Sequence, residues 1–290
     1  MKNFIIPTSQ VEKLARNILA RAKNFEVIFP DLSRDGKRYF PDGEIYIRLL
    51  KTEKLSGKRV IVLHSGAPKP NEGLVELELI LQVLRDNNIK PEVFFTYFPY
   101  GMQDKVFERG ETNVAENLVE KLINYYKVKK IYIIDPHFWG RKWVKKYPIV
   151  NVSVAPILME KAKNDFGKDI LFLSPDIGGE RRTGVSGMRK KRVNSYRVEI
   201  SFTQMNFNHC PVVGIVDDLL ETGGTLLKAY KLCKKNGAKQ VIALITHGVL
   251  PSGIAKIKKK YSKLYLTNTI EQKESNIDLT NLILKTLSES

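Results

Sequence analysis

Cysteine is scarce: Cys210 and Cys233 are the only two in 290 residues. Two thiols exclude a disulfide framework and a zinc site built on cysteine. No apolar run is long enough to cross a bilayer as a helix, and the opening Met-Lys-Asn-Phe-Ile-Ile-Pro does not read as a signal peptide. A cytoplasmic protein with no membrane partner is expected. There is no low-complexity linker, and no helical pattern with basic residues on one face and interleaved aromatics. Acidic residues are outnumbered, 31 against 48 Lys and Arg, for a formal net charge of +17. Such an excess suits nucleic acid, anionic substrates or a lysine-rich proteome. The lysines are spread along the chain, however, and the longest basic cluster is only Arg189-Lys190-Lys191-Arg192. No nucleic-acid partner is expected.

The apolar fraction, 43%, is enough for a sizeable core, and the length suits two ordinary domains. Strand-like and helix-like segments alternate. Strands are expected at 4–6, 26–29, 45–49, 59–63, 92–96, 130–134, 149–152, 170–173, 212–216, 240–246 and 263–266, with another near 196–200. Helices are expected at 10–22, 73–87, 114–126, 155–165, 224–236 and 279–287. This alternation predicts an α/β protein with mostly parallel sheets flanked by helices. A break near Tyr147-Pro148 divides it into domains 1–148 and 149–290, similar in size and pattern.

The most informative stretch is Val212-Val-Gly-Ile-Val-Asp-Asp-Leu-Leu-Glu-Thr-Gly-Gly-Thr225. An apolar strand ends in Asp217 and Asp218. A turn of small residues follows, and then Leu226, Ala229, Tyr230 and Cys233 mark the apolar face of a helix. Glycine-rich backbone at a helix N-terminus can cradle a phosphate. The acids suit sugar hydroxyls or Mg²⁺ rather than phosphate. A phosphorylated sugar satisfies both, whereas the bland alternative is a common turn beside solvated acids.

Other unusual stretches fall at strand ends, where ligands of open α/β sheets bind. Ser174-Pro-Asp176-Ile-Gly178-Gly179 permits close backbone approach to an anion, or is a plain turn. His137, in Asp135-Pro-His, suits a metal or a phosphate oxygen, or is structural. The run Arg189–Arg192, near Gly184, Ser186 and Gly187, suits a basic loop over phosphates, or a solvated surface. Phe98-Pro-Tyr100-Gly-Met102-Gln103-Asp104 can hold a base, or supply core aromatics and a cap. Phe40-Pro-Asp42-Gly-Glu44 by itself is a hairpin turn.

In this order, these stretches resemble the ribose-phosphate pyrophosphokinase (phosphoribosyl pyrophosphate synthetase) family, over about 40–270. The 212–225 stretch alone resembles the wider phosphoribosyltransferase group. The resemblance implies two domains of type I phosphoribosyltransferase-like fold with the site between them and a neighbouring subunit, hence a homo-oligomer sharing its active site. It implies a Mg²⁺-dependent transferase acting on ATP and ribose 5-phosphate in nucleotide biosynthesis. The pyrophosphoryl group of ATP passes to C1 of the sugar and AMP is released. By position, Lys190 and Arg192 would be catalytic. Asp217, Asp218, Glu221, Thr222, Gly223, Gly224 and Thr225 would bind ribose 5-phosphate. Phe40, Asp42, Glu44, Gln103, Asp104 and His137 would bind ATP. Asp176, Gly178 and Gly179 would form the pyrophosphate loop, with His137 and Asp176 serving the metal.

The sequence also departs from the family. Arg usually precedes Gln in the ATP loop, and here it is Met102, which cannot replace the charge; Lys105 is the nearby substitute. Glu221 stands where Asp or Ser is frequent, and Phe138-Trp139-Gly140 is atypical. A weakly active or regulatory paralogue and a phosphoribosyltransferase remain as alternatives at this stage.

Overall fold

A computed structural model describes residues 2–175, 177–192, 198–201, 207 and 210–289, with side chains at all of these except 177, 181, 189–192 and 198–201. The chain forms two compact units. One is Met1–Val152 with Thr269–Glu271 and Leu279–Ser290, and the other is Ser153–Asn268 with Gln272–Asp278.

In the first unit, short apolar segments pair in parallel. They are β1 (Asn3–Pro7), β2 (Phe25–Val27), β3 (Val60–Ser65), β4 (Glu92–Tyr97), β5 (Ile131–Ile134) and β6 (Ile149–Val152), in sheet order β2-β1-β3-β4-β5-β6. Helices α1 (Glu12–Arg21), α2 (Pro70–Asp86) and α3 (Val114–Asn124) lie between strands in the chain. Leu77, Ile80, Leu81 and Leu84 of α2 and Ala115, Leu118, Val119 and Leu122 of α3 recur at helical spacing. They form one core with alternate strand residues: Phe4 and Ile6, Val60 and Val62, Val93 and Phe95, Ile131 and Ile133. The intervening residues Ile5, Ile61, Phe94 and Tyr132 are buried too, as expected for a parallel sheet covered on both faces.

The second unit holds α4 (Ala155–Phe166), β7 (Ile170–Leu173), α5 (Ile177–Thr183), β8 (Arg189–Arg192), β9 (Val198–Ser201), β10 (Val212–Leu220), α6 (Gly224–Lys235), β11 (Gln240–Gly248), α7 (Pro251–Lys260) and β12 (Lys263–Leu266). Its main sheet, β12-β11-β10-β7, is wholly parallel, and β8 and β9 make a separate antiparallel ribbon. Val213, Ile215, Val241, Ala243 and Ile245 pack with Leu226, Ala229 and Cys233 of α6 and with Ile254 and Ile257 of α7. Burial pushes the Cys233 thiol up to about 12, so it behaves as a core residue.

Several expectations need correction. The alternating segment 45–49 forms no strand, because its partner ladder ends after the single bridge Tyr39–Ile45. Strand β10 runs four residues past its expected end, paired with β11 as far as Leu220 and Gly248, so Asp217 and Asp218 lie within it. Helices α5 and α7 and strand β8 were not foreseen. The first is short and glycine-rich, and the last two were hidden in basic runs. In sequence, the main part of the first unit ends at Val152. Strand β6 pairs with β5, and the last helix, α8 (Thr280–Ser288), groups with the first unit, where the Arg59 guanidinium donates to the Leu287 carbonyl at 2.6 Å. Among the described residues, no helix is long and apolar enough to cross a membrane.

His64, near the end of β3, is fully buried. Its Nδ1 lies 2.9 Å from the Thr8 hydroxyl and its Nε2 has no hydrogen-bond partner. Burial lowers its pKa from 6.5 to about 3. The folded chain therefore keeps the ring neutral, while the unfolded chain protonates it below the ordinary value. This stability is full above pH 6.5 and is lost as pH falls toward 3, at up to about 1.4 kcal/mol per pH unit. Urea unfolding between pH 7 and 4.5 should show that slope flattened in His64→Gln; equal slopes in both proteins would contradict the assignment.

Candidate functional site

In the second unit, β10 delivers Asp217 and Asp218 at its carboxyl end. They are 6% and 1% exposed. Two adjacent carboxylates this deep need compensation. Arg182 on α5 supplies it, with Nε 2.6 Å from Asp218 Oδ1 and Nη2 3.8 Å from Asp217 Oδ1. Sequence reasoning missed Arg182. Its signal was a cation following the Gly178-Gly179 turn, whose carboxylate partners lie 35 and 36 residues away.

The chain then turns through Glu221 and Thr222 into α6. Gly223 sits at the N-cap with φ 77°, a left-handed conformation that glycine adopts without steric cost. No side chain caps this end, so the first-turn N–H groups remain available to an anion. Thr222, Gly224 and Thr225 are exposed and Glu221 is half-buried. The expected sugar-phosphate residues therefore form one contiguous cradle, with acids at one edge and open amides at the other.

Helix α7 supports this cradle at very short range. A Cβ on Gly253 would stand 1.7 Å from the Glu221 carbonyl oxygen. Ile257 lies against Gly223 from the same helix. Gly253 is a second residue that sequence reasoning missed, since nothing local to α7 announces the approach.

Gly178 and Gly179 open α5. Asp176 lies outside the described residues. Lys190 and Arg192 lie on β8, but their side chains are likewise outside those described.

In the first unit, the loops after β4 and β5 meet. A Cβ on Gly101 would touch His137 and Phe138 at 3.9 and 3.8 Å. Phe98 meets Phe138 edge-on and Phe138 meets Trp143 at a tilt, with centroids 5.1 and 4.8 Å apart. Gln103 and Met102 are exposed, and His137 is half-buried. Asp104, expected to bind ATP, is only 2% exposed and accepts a fork from Arg141: Nε at 2.6 Å and Nη2 at 3.0 Å. The Trp143 indole N–H donates to the Asp104 carbonyl at 3.2 Å.

The Phe40–Glu44 turn is closed by its own backbone. The Phe40 N–H donates to the Glu44 carbonyl at 2.8 Å, and the Glu44 N–H donates to the Asp42 carboxylate at 3.1 Å. Gly43 closes the turn at φ 92°. Phe40 is held edge-on to Tyr46 and is 48% exposed, which is unusual for a large apolar ring. The segment leading into the turn is anchored by Arg38, whose guanidinium donates to buried Glu76 at 2.9 Å and to Glu12 at 2.5 Å.

Among the described residues, no group of three or more His, Cys, Asp and Glu side chains is placed to hold a metal ion.

Residues 4–126 match the N-terminal domain of ribose phosphate pyrophosphokinase. The chain is 33% identical to a ribose-phosphate pyrophosphokinase of Thermococcus kodakarensis, over 85% of this chain and 89% of the relative. It is 31% identical to one from Pyrococcus abyssi, over 88% and 93%. The chain belongs to the ribose-phosphate pyrophosphokinase family. A ribose-phosphate pyrophosphokinase 2 of Archaeoglobus fulgidus matches over 98% of this chain at 30% identity. The crystal structure of phosphoribosylpyrophosphate synthetase from Mycobacterium smegmatis superposes over 99% of the chain with a TM-score of 0.82 at 22% identity, a likeness of fold. The α/β architecture expected from alternation is thus the family's own.

The Gly253 contact gives a test that needs no substrate. Glycine-to-alanine changes inside helices ordinarily stabilise, by about 1 kcal/mol. Gly253→Ala should instead destabilise by about 1–3 kcal/mol, because the loop backbone must move. Faster amide exchange at 221–225 would report the displacement. A more stable variant with unchanged exchange would show that the approach is not tight.

Proposed function

We propose that this chain transfers the β,γ-pyrophosphoryl group of ATP to the C1 hydroxyl of ribose 5-phosphate. The observation that carries this reading is the joined pair of opposites in the second unit. Buried acids suited to sugar hydroxyls sit one turn from an uncapped helix N-terminus suited to a phosphate. Family membership supplies the reaction. In it, the C1 oxygen attacks the β-phosphorus, the bond from that phosphorus to the α–β bridging oxygen breaks, and AMP leaves with that oxygen. The hydroxyl proton passes to solvent. No covalent enzyme intermediate is needed, so the protein's task is alignment and neutralisation of charge.

In this reading Thr222, Gly223, Gly224 and Thr225 hold the 5-phosphate by backbone N–H and hydroxyl donors. Asp217 and Asp218 accept the ribose hydroxyls, and Glu221 borders them. Arg182 pairs with both acids and orients them. Lys190 and Arg192 neutralise the transferring group, and Asp176, Gly178 and Gly179 border it. Gln103 and His137 hold the nucleotide. Phe40, Asp42 and Glu44 serve the adenine of a neighbouring copy, which makes the active form a homo-oligomer; an exposed aromatic ring on an anchored turn suits that role.

Mg²⁺ is the metal in this reading. Mg²⁺ keeps several waters and is bound by few carboxylates together with substrate phosphates. An ion that arrives on ATP needs few protein ligands, a role that suits His137 and Asp176. Bound there, it would neutralise phosphate charge.

With ATP and Mg²⁺, AMP should form only when ribose 5-phosphate is added. A folded chain that yields none would overturn the reading, and AMP formed without the sugar would point to simple ATP hydrolysis. Lys190→Ala should lower kcat about a hundredfold. It should leave ribose 5-phosphate affinity within about a factor of three, whereas parallel loss of both would reject a role confined to the transition state.

A further inference from the structure

We propose that Arg141 is a nucleotide-binding residue, donating to the polyphosphate of ATP from the site beside Met102. The inference rests on the functional reading above, and three observations carry it. First, the loops bearing Met102-Gln103-Asp104 and His137–Arg141 are in contact, as Gly101 against His137 and Phe138 shows. A donor on the second loop therefore serves the same space as one on the first.

Second, Arg141 is fixed. Nε and Nη2 form a fork on Asp104, whose side chain is 3% exposed, and Trp143 holds the Asp104 backbone. The fork leaves Nη1 uncommitted, and the Arg141 side chain is 41% exposed. A guanidinium held this way is aimed before ligand arrives, so little rotamer freedom is lost on binding. Because Asp104 neutralises it, Arg141 offers directed N–H donation more than net charge.

Third, Lys105, the cation nearest Gln103 in sequence on the first loop, is engaged elsewhere. Lys105 Nζ lies 4.4 Å over the ring of Phe107, and that ring is 60% exposed. Lysine there is a flexible point charge on an exposed loop, without a carboxylate to orient it. The position of Asp104 also gains an explanation. A carboxylate this buried is a poor direct ligand for phosphate, but it is well placed to hold the residue that donates to one.

Removing Arg141 alone would strand Asp104, so the test removes both charges. In the full chain carrying Asp104→Asn and Arg141→Met, the ATP Kd measured by calorimetry should rise about tenfold, equivalent to about 1.4 kcal/mol. Ribose 5-phosphate affinity should hold. Adding Met102→Arg to that double variant should restore most of the loss, which a merely structural pair would not allow. Unchanged ATP affinity in the double variant would overturn the role of Arg141. So would a loss that Met102→Arg fails to repair, or one shared equally with ribose 5-phosphate. Absence of ATP binding by the unaltered chain would overturn this role together with the functional reading.

Discussion

Two adjacent carboxylates buried inside a core strand are the constraint on which the second unit depends. Isolated, each would cost several kcal/mol in that setting. Arg182 reaches them from α5, across the carboxyl end of the sheet, and satisfies Asp218 at 2.6 Å. That pairing ties the turn after β7 to the end of β10. It lets β10 run on to Leu220 in register with β11. The turn proposed to cradle the phosphate begins immediately beyond, so its position is inherited from the strand rather than from the loop's own sequence.

The first unit uses the same device. Asp104 holds Arg141, Glu76 holds Arg38, and Glu92 holds Arg59 through two contacts at 3.0 and 2.7 Å. In each pair, a carboxylate at most partly exposed fixes a guanidinium drawn from a distant segment. Planar, bidentate pairing suits this purpose, since it fixes direction as well as distance. Surface ion pairs elsewhere, such as Lys69 with Glu72, add little by comparison. The loops named as functional are therefore stiffened by ion pairs at their bases and leave their tips, Phe40 and Gln103, open.

Much of this was legible in the sequence because it is local. Apolar runs of strand length, separated by helical periodicity, mark β3, β4, β5, β7 and β10. The Gly223-Gly224 turn marks its own helix start. What was not legible depends on contacts between distant segments. Arg182 is unremarkable until β10 is placed beside α5, and Gly253 reads as a helix weakness until the Glu221 carbonyl is found against it. Arg141 was hidden in an atypical stretch after His137. The segment 45–49 misled for the converse reason: its alternation is real, yet only one bridge pairs with it. The last helix returns to the first unit through Leu287 and Arg59, a link spanning 228 residues that no local pattern encodes.

The central claim is that the sugar receives an intact pyrophosphoryl group. Reacting ATP radiolabelled at the β-phosphorus with ribose 5-phosphate and Mg²⁺, and following the radioactivity through chromatographic separation of the products, tests it most directly. The account predicts the label in a pyrophosphate joined to C1 of the sugar, with none in AMP. Label recovered in ADP, or in free pyrophosphate with the sugar unchanged, would contradict it.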